Sequence, residues 1–265
     1  MSETVKLIKD WRLHAVVLGI VILTETIGTI EISIGPGIMV FLPMLFAIVI
    51  GLLLYFTPLV KEKQSKNAEP IITISVSLLI AKIGVTIGPD LVNVIAAGPA
   101  LILQELGNFG TIFLALPVAV LIFGMKRESI GMTHSIGREP NLGIIYDKYG
   151  FESSEGQGVT VVYIFGTVFG ALFYGIFSGL LAAYTPLHPL SLAMAAGVGS
   201  GSMMTAAIGP LIASFPELES QIVAFAGASN LLTYATGLFV SIFIALPMTE
   251  KLYKLFRKWR GGDEV

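Results

Sequence analysis

Long apolar runs separated by short polar breaks dominate this chain, and the runs have the length of membrane crossings. The first runs from Leu13 to about Ile34, carries Glu25 and Glu31, and ends at Gly35-Pro36-Gly37, a turn signal. The second, Ile38 to Leu59, holds no charge and stops at Lys61-Glu62-Lys63. A third, Ile71 to Gly88, contains Lys82 and is broken by Pro89-Asp90, where Asp90 reads as a helix N-cap. A short apolar stretch, 91–103, holds Gly98-Pro99; Gln104-Glu105-Leu106-Gly107-Asn108 separates it from a run over 109–125. A polar, glycine-rich segment then covers 126–158. Apolar runs resume at 159–184, 190–215 and 222–248, before a basic tail over 251–265.

With roughly 20 apolar residues per span, the chain holds at most about eight crossings. The expected fold is an all-α polytopic membrane protein forming one transmembrane domain. It comprises an N-terminal helix pair over 1–60, a three-helix unit over 71–125, the polar connection 126–158, a second three-helix unit over 159–250 and the tail.

The middle elements of the two units are both interrupted, and both interruptions are reached through Ala-Ala-Gly: Ala96-Ala97-Gly98-Pro99 and Ala195-Ala196-Gly197-Val198-Gly199-Ser200-Gly201-Ser202. With eight crossings the two units start from opposite sides, which makes them an inverted repeat. Carriers of that design place substrate where discontinuous helices meet near the midplane. Unwound backbone survives at that depth only against protein or a wet cavity, and helix N-termini there favour an anion. Tight helix packing through small residues is the rival explanation, but Gly197, Gly199 and Gly201 alternate and cannot share one helix face.

Composition supports lipid as the solvent: 54% of the 265 residues are hydrophobic and 13% charged, about half the charge of an ordinary soluble domain. There is no cysteine, and His14, His134 and His188 have no metal-ligand spacing. No cofactor is expected. A basic stripe for nucleic acid is absent outside the tail. The first run lacks a cleavage signal and reads as a retained span. The positive-inside rule puts both termini and the 61–66 loop, with 11 of the 16 basic residues, in the cytoplasm of a cell-membrane protein. The 126–158 segment then lies outside. If 91–103 were instead re-entrant, seven crossings would place the basic tail on the wrong side.

Charges within the runs suggest chemistry. Lys82 in a span costs roughly 2.5–3.5 kcal/mol unless it faces the bundle interior; there it would pair with Glu25 or meet an anion. Glu105 reads as a solvated loop residue or as a site for a coupling proton or sodium ion, and Glu25 as a second candidate for that ion. Asn230 is polar deep in the last span. The substrate site is therefore expected from Lys82, Gly98, Gly197, Gly199, Ser200, Ser202, Thr205 and Asn230. Glu217 and Glu219 flank a proline turn and read as solvated, as does the pair Arg138-Glu139.

The stretch Gly131 to Tyr146, the Gly-Ser-Gly-Ser-Met-Met run at 199–204 and Phe225-Ala226-Gly227-Ala228-Ser229-Asn230 resemble an uncharacterised bacterial and archaeal membrane family that carries the label DUF3100. That resemblance implies no substrate. More remotely, the inverted triples look like the bile acid, arsenite and riboflavin transporter superfamily. The expected function is a secondary carrier or exporter of a small anionic solute such as an organic acid, working as a homodimer in the lipid bilayer. A channel-like or holin-like pore would need a continuous polar lining. An intramembrane enzyme would need an acid, base and nucleophile set that the chain does not offer.

Overall fold

The computed structural model describes residues 10–34, 37–61, 64, 78, 81–82, 85 and 88–261. The third apolar run, 71–88, lies almost wholly outside them. The chain is overwhelmingly helical, and the one small sheet among the described residues falls where two helices were expected. Helix α1 (Trp11–Ile27) is capped by Asp10, whose Oδ1 accepts from Leu13 N at 3.2 Å. It ends at Gly28, φ 73°, and passes into β1 (Ile30–Ile34). That strand pairs antiparallel with β2 (Gly37–Phe41), Ile34 opposite Gly37 and Ile30 opposite Phe41, before α2 (Pro43–Tyr55). The facing ends of the first two runs are therefore strand, five residues each, where helix was expected. The β-branched alternation Ile30, Ile32, Ile34 favours this, and irregular backbone within such a bundle needs protein against it. Here β2 lies on the later helices: Val40 is buried, and its Cγ1 sits 3.6 Å from where a Cβ on Gly209 would lie.

The stretches 91–103 and 109–125 are not two crossings. Helix α3 (Leu91–Ala96) bends at Ala97 into α4 (Gly98–Gln104), which continues through a 3-10 turn (Glu105–Phe109) and π turns (Thr111–Ala115, Val118–Ile122). Gly98–Ile122 is one helical rod, long and apolar enough to cross a membrane. Gln104–Asn108 is its middle, not a loop. Proline at the second position restarts α4 at once, since it needs no backbone donor there.

The 126–158 connection folds as α5 (Glu128–Thr133) and α6 (Arg138–Tyr149), followed by α7 (Ser154–Phe165), a π turn (Gly166–Gly170) and α8 (Ala171–Tyr184). It is a packed unit, not a solvated loop. Ile130, Ile136 and Ile145 share a core with Leu246 and Phe256. A Cβ on Gly131 would overlap Glu155 O, and one on Gly158 would overlap Glu128 O, so α5 and α7 touch through backbone.

Helix α9 (Pro189–Ala196) and α10 (Gly201–Ser214) form the second interrupted segment, and α11 (Glu219–Val240) continues through a π turn (Ser241–Ala245) into α12 (Leu246–Trp259). Pro216–Trp259 is a second helix long and apolar enough to cross a membrane. Its 44 residues extend about 66 Å at 1.5 Å each. The basic tail is thus mostly the amphipathic helix α12, with Tyr253 and Phe256 buried.

Contacts fix the directions. Asp90 binds Ser220, Glu105 meets Thr233 and Thr236, and Arg260 donates to Val120 O at 2.7 Å. The rod from Asp90 to Ile122 therefore runs parallel to α11–α12 along its whole length. Lys148 also reaches Glu250 at 3.4 Å. So residues 120–150 and 250–260 lie at one end, and 88–90, 184–189 and 214–220 at the other. The tail and part of the 126–158 unit thus lie at the same end of the bundle.

Candidate functional site

The segment 189–214 doubles back. Ser229 Oγ donates to Met194 O at 2.7 Å, and Asn230 Nδ2 to Gly197 O at 2.9 Å, so α9 runs alongside α11 in the same direction. Only four residues join Ser214 to Glu219, a reach of at most about 17 Å. Helix α10 must therefore return to the end from which α9 set out. Ser178 Oγ donates to Ala207 O at 2.7 Å and Met203 packs on Gly170, which lays α10 parallel to α8. The result is a helical hairpin whose tip, Gly197–Ser200, is held inside the bundle. The first interruption has no such reversal.

Local sequence explains the tip. Gly199 has φ 100°, a conformation that side chains rarely adopt, and Ser200 is extended. At the end of α9, Met194 O already accepts from Gly197 N at 3.1 Å and gains a second donor in Ser229, while Asn230 supplies a donor to Gly197 O. Gly197 is required by proximity, because a Cβ there would overlap Ala226 O and lie 2.6 Å from Ser229 Oγ. At the start of α10, Ser200 and Ser202 hydroxyls lie 3.1 Å apart, and Thr205 binds back to Gly201 O at 2.9 Å. Tight packing and an unwound turn, weighed as rivals in the sequence, occur together.

Asn230 is fully buried, and its Oδ1 has no hydrogen-bond partner. One turn further along α11, Thr233 donates to Glu105 Oε1 at 2.6 Å, and Thr236 to Oε2 at 3.1 Å. Gln104 Nε2 donates to Oε1 at 2.8 Å and Asn108 Nδ2 to Oε2 at 3.1 Å. The Glu105 carboxylate thus has four neutral donors within reach, the Thr236 proton being shared with Leu232 O at 2.9 Å, and a buried, unpartnered Gln104 Oε1 lies beside it.

The 126–158 unit reaches the same region from the basic end. Ile136 O lies 3.2 Å from the Cβ position of Gly237, next to Thr236. Arg138 stacks over the Tyr163 ring at 4.5 Å and donates to Tyr163 O. Its Nη2 is 3.9 Å, and Met203 Cε 3.5 Å, from the Cβ position of Gly166, so the guanidinium and the first turn of α10 meet across that glycine. Arg138 is half-buried, not solvated. His134 is fully buried, with Nδ1 3.2 Å from Ile130 O and Nε2 unpartnered; burial pushes its pKa from 6.5 down to about 4, so the ring is neutral. Burial and the neighbouring Glu250 raise the Tyr149 hydroxyl, while Arg127 holds buried Glu155 at 2.5 Å.

Residues 22–255 match the family described as Protein of unknown function (DUF3100). The chain belongs to that family. No curated protein and no solved structure matches it, so the DUF3100 description stands without an assigned activity, and the likeness to the bile acid, arsenite and riboflavin carriers gains no match.

Within this DUF3100 chain the structure gathers Gly197, Gly199, Ser200, Ser202, Thr205 and Asn230 at the tip and sets Glu105 one turn along α11. Gly98 lies in the neighbouring rod, half-buried, with nothing within 4 Å of its Cβ position. Lys82 and Glu25 are exposed, and residues 83–84 beside Lys82 are outside the described set. Among the described residues no cluster of three or more His, Asp or Glu could hold a metal. Sequence reasoning missed Gln104, Asn108, Thr236 and Arg138 as site residues. Glu105 and Asn108 are three apart, as are Asn230, Thr233 and Thr236, which puts each set on one helix face.

Proposed function

We propose that this protein is a membrane-embedded secondary carrier of a small anionic solute such as an organic acid, coupled to a proton or sodium ion through Glu105. Lipid embedding rests on the two long apolar helices and on large apolar side chains exposed along the bundle, among them Phe113, Phe169, Phe173, Phe239 and Phe243. Such a surface on a soluble protein would be an aggregation liability. Arg12, Lys61, Lys126, Arg127, Lys148 and the basic face of α12 gather at one end, whereas Asp90, Glu217 and Glu219 mark the other. The positive-inside rule makes the basic end cytoplasmic, with both termini and the 126–158 unit on that side. The α9–α10 hairpin then enters from outside.

The observation that carries the reading is the hairpin tip, held at depth against α11 with the start of α10 close to Arg138. Free backbone donors of a helix N-terminus and a guanidinium suit a carboxylate. Arg138 thereby takes the role that the sequence suggested for Lys82. Homodimer formation is kept as part of the proposal.

Uptake of labelled mono- and dicarboxylates into proteoliposomes under imposed proton or sodium gradients tests the idea. Saturable, gradient-dependent uptake that Arg138→Gln abolishes is the expected result. Inertness toward every acid under both gradients sinks the carrier, and flux that never saturates makes the protein a pore.

A further inference from the structure

The polar groups around Glu105 are unusual in what they lack. Its carboxylate is fully supplied with donors, yet two amide oxygens in the same neighbourhood, Gln104 Oε1 and Asn230 Oδ1, are buried without a donor. Gln104 is bonded to Glu105 through its nitrogen. Asn230 stands one turn before Thr233 on the same face of α11, a spacing that brings side chains within about 5–6 Å. An orphaned acceptor at a buried position forfeits its solvation with nothing in return, so two together ask for a shared partner.

A proton does not supply one. Protonated Glu105 gains a single O–H donor and satisfies one oxygen. A small cation satisfies several oxygens at once. The Thr233 hydroxyl, with its proton turned to the carboxylate, and the Thr236 hydroxyl, whose one proton is shared between Glu105 Oε2 and Leu232 O, still present lone pairs to such an ion. The donors are all oxygen, which suits a hard cation. One carboxylate among neutral groups balances a single positive charge, and a divalent ion would leave net charge in a low-dielectric site.

We propose that Glu105, Gln104, Thr233, Thr236 and Asn230 form a binding site for one sodium ion. Asn230 links that site to the hairpin, because its nitrogen holds Gly197 O at the tip while its oxygen turns to the ion. Filling the site therefore fixes the tip. This rests on reading Glu105 as the coupling group and deepens it by naming the ion and its ligands.

The test uses the purified full-length chain in detergent and needs no transport. Its unfolding midpoint is followed by intrinsic fluorescence while NaCl replaces choline chloride at constant ionic strength and neutral pH. A saturable rise with sodium, absent with potassium, is the expected result. Thr236→Val and Glu105→Gln each raise the half-saturating sodium concentration at least about tenfold, the loss typical of disturbing a metal's supporting shell; Glu217→Gln, at the far turn, leaves it unchanged. If Glu105→Gln does not fold, Thr236→Val and Thr233→Val carry the test. Equal midpoints in sodium and choline, or an unchanged half-saturation in the threonine variants, overturn the site. A chain that binds sodium but moves no solute removes the carrier and keeps the ion site; proton-driven uptake without sodium binding does the reverse.

Discussion

The two interruptions begin with the same three residues and end in opposite ways. After Ala96-Ala97-Gly98, Pro99 restarts the helix: Ala100 N and Leu101 N both bond to Ala97 O, at 2.9 and 3.0 Å, and the rod continues. After Ala195-Ala196-Gly197 the chain meets a left-handed glycine, Gly199, and an extended Ser200, and it reverses. The first break needs nothing from its neighbours. The second depends on α11, which supplies Ser229 and Asn230 to carbonyls at the end of α9 and a groove that admits only glycine at 197. A kink is written locally, whereas a reversal inside a bundle is written in two places.

Variants at the two breaks can undo or sharpen this contrast, with chemical or thermal unfolding in detergent as the common measurement. Gly197→Ala drives a methyl group into Ala226 O and should cost about 3 kcal/mol, the upper part of the overpacking range; a cost near zero would mean that α9 is not seated on α11. Asn230→Ala strands Gly197 O in a buried place and should cost about 2 kcal/mol, with loss of sodium response. Ser229→Ala removes one neutral bond, about 1 kcal/mol, and should leave that response in place. Gly98→Ala, with open space around the new methyl group, should be neutral or stabilise by about 0.5 kcal/mol. If instead it harms the protein as much as Gly197→Ala, the two breaks are equivalent and the asymmetry fails.

Helical class, the glycine run as an unwound segment and the presence of polar groups at Asn230 and Glu105 within apolar surroundings were legible in the sequence. Those features depend on local composition: long apolar runs, glycine at alternate positions, a polar residue where lipid is expected. Path was not legible. Gln104–Asn108 has the composition of a surface loop, and only its partners on α11 keep it helical at the centre of a rod. The same limit hid the strands after Ile27, since apolar β-branched residues serve a helix or a strand until packing decides. Arg138 looked solvated because it sits beside Glu139 in a polar stretch; its seat on Tyr163 is set by a residue 25 positions away. The return of α10 was hidden for a related reason: run lengths alone do not distinguish a hairpin that turns back from a straight helix.

The long helix α11–α12 and the rod 88–122 are tied at three heights, by Asp90 with Ser220, by Glu105 with Thr233 and Thr236, and by Arg260 on Val120 and Leu121 O. Two poles lashed at foot, waist and head behave as a mast. Under the proposed carrier function, whatever moves would do so against that mast, and the lashing at the waist is a knot that the proposed ion would tighten.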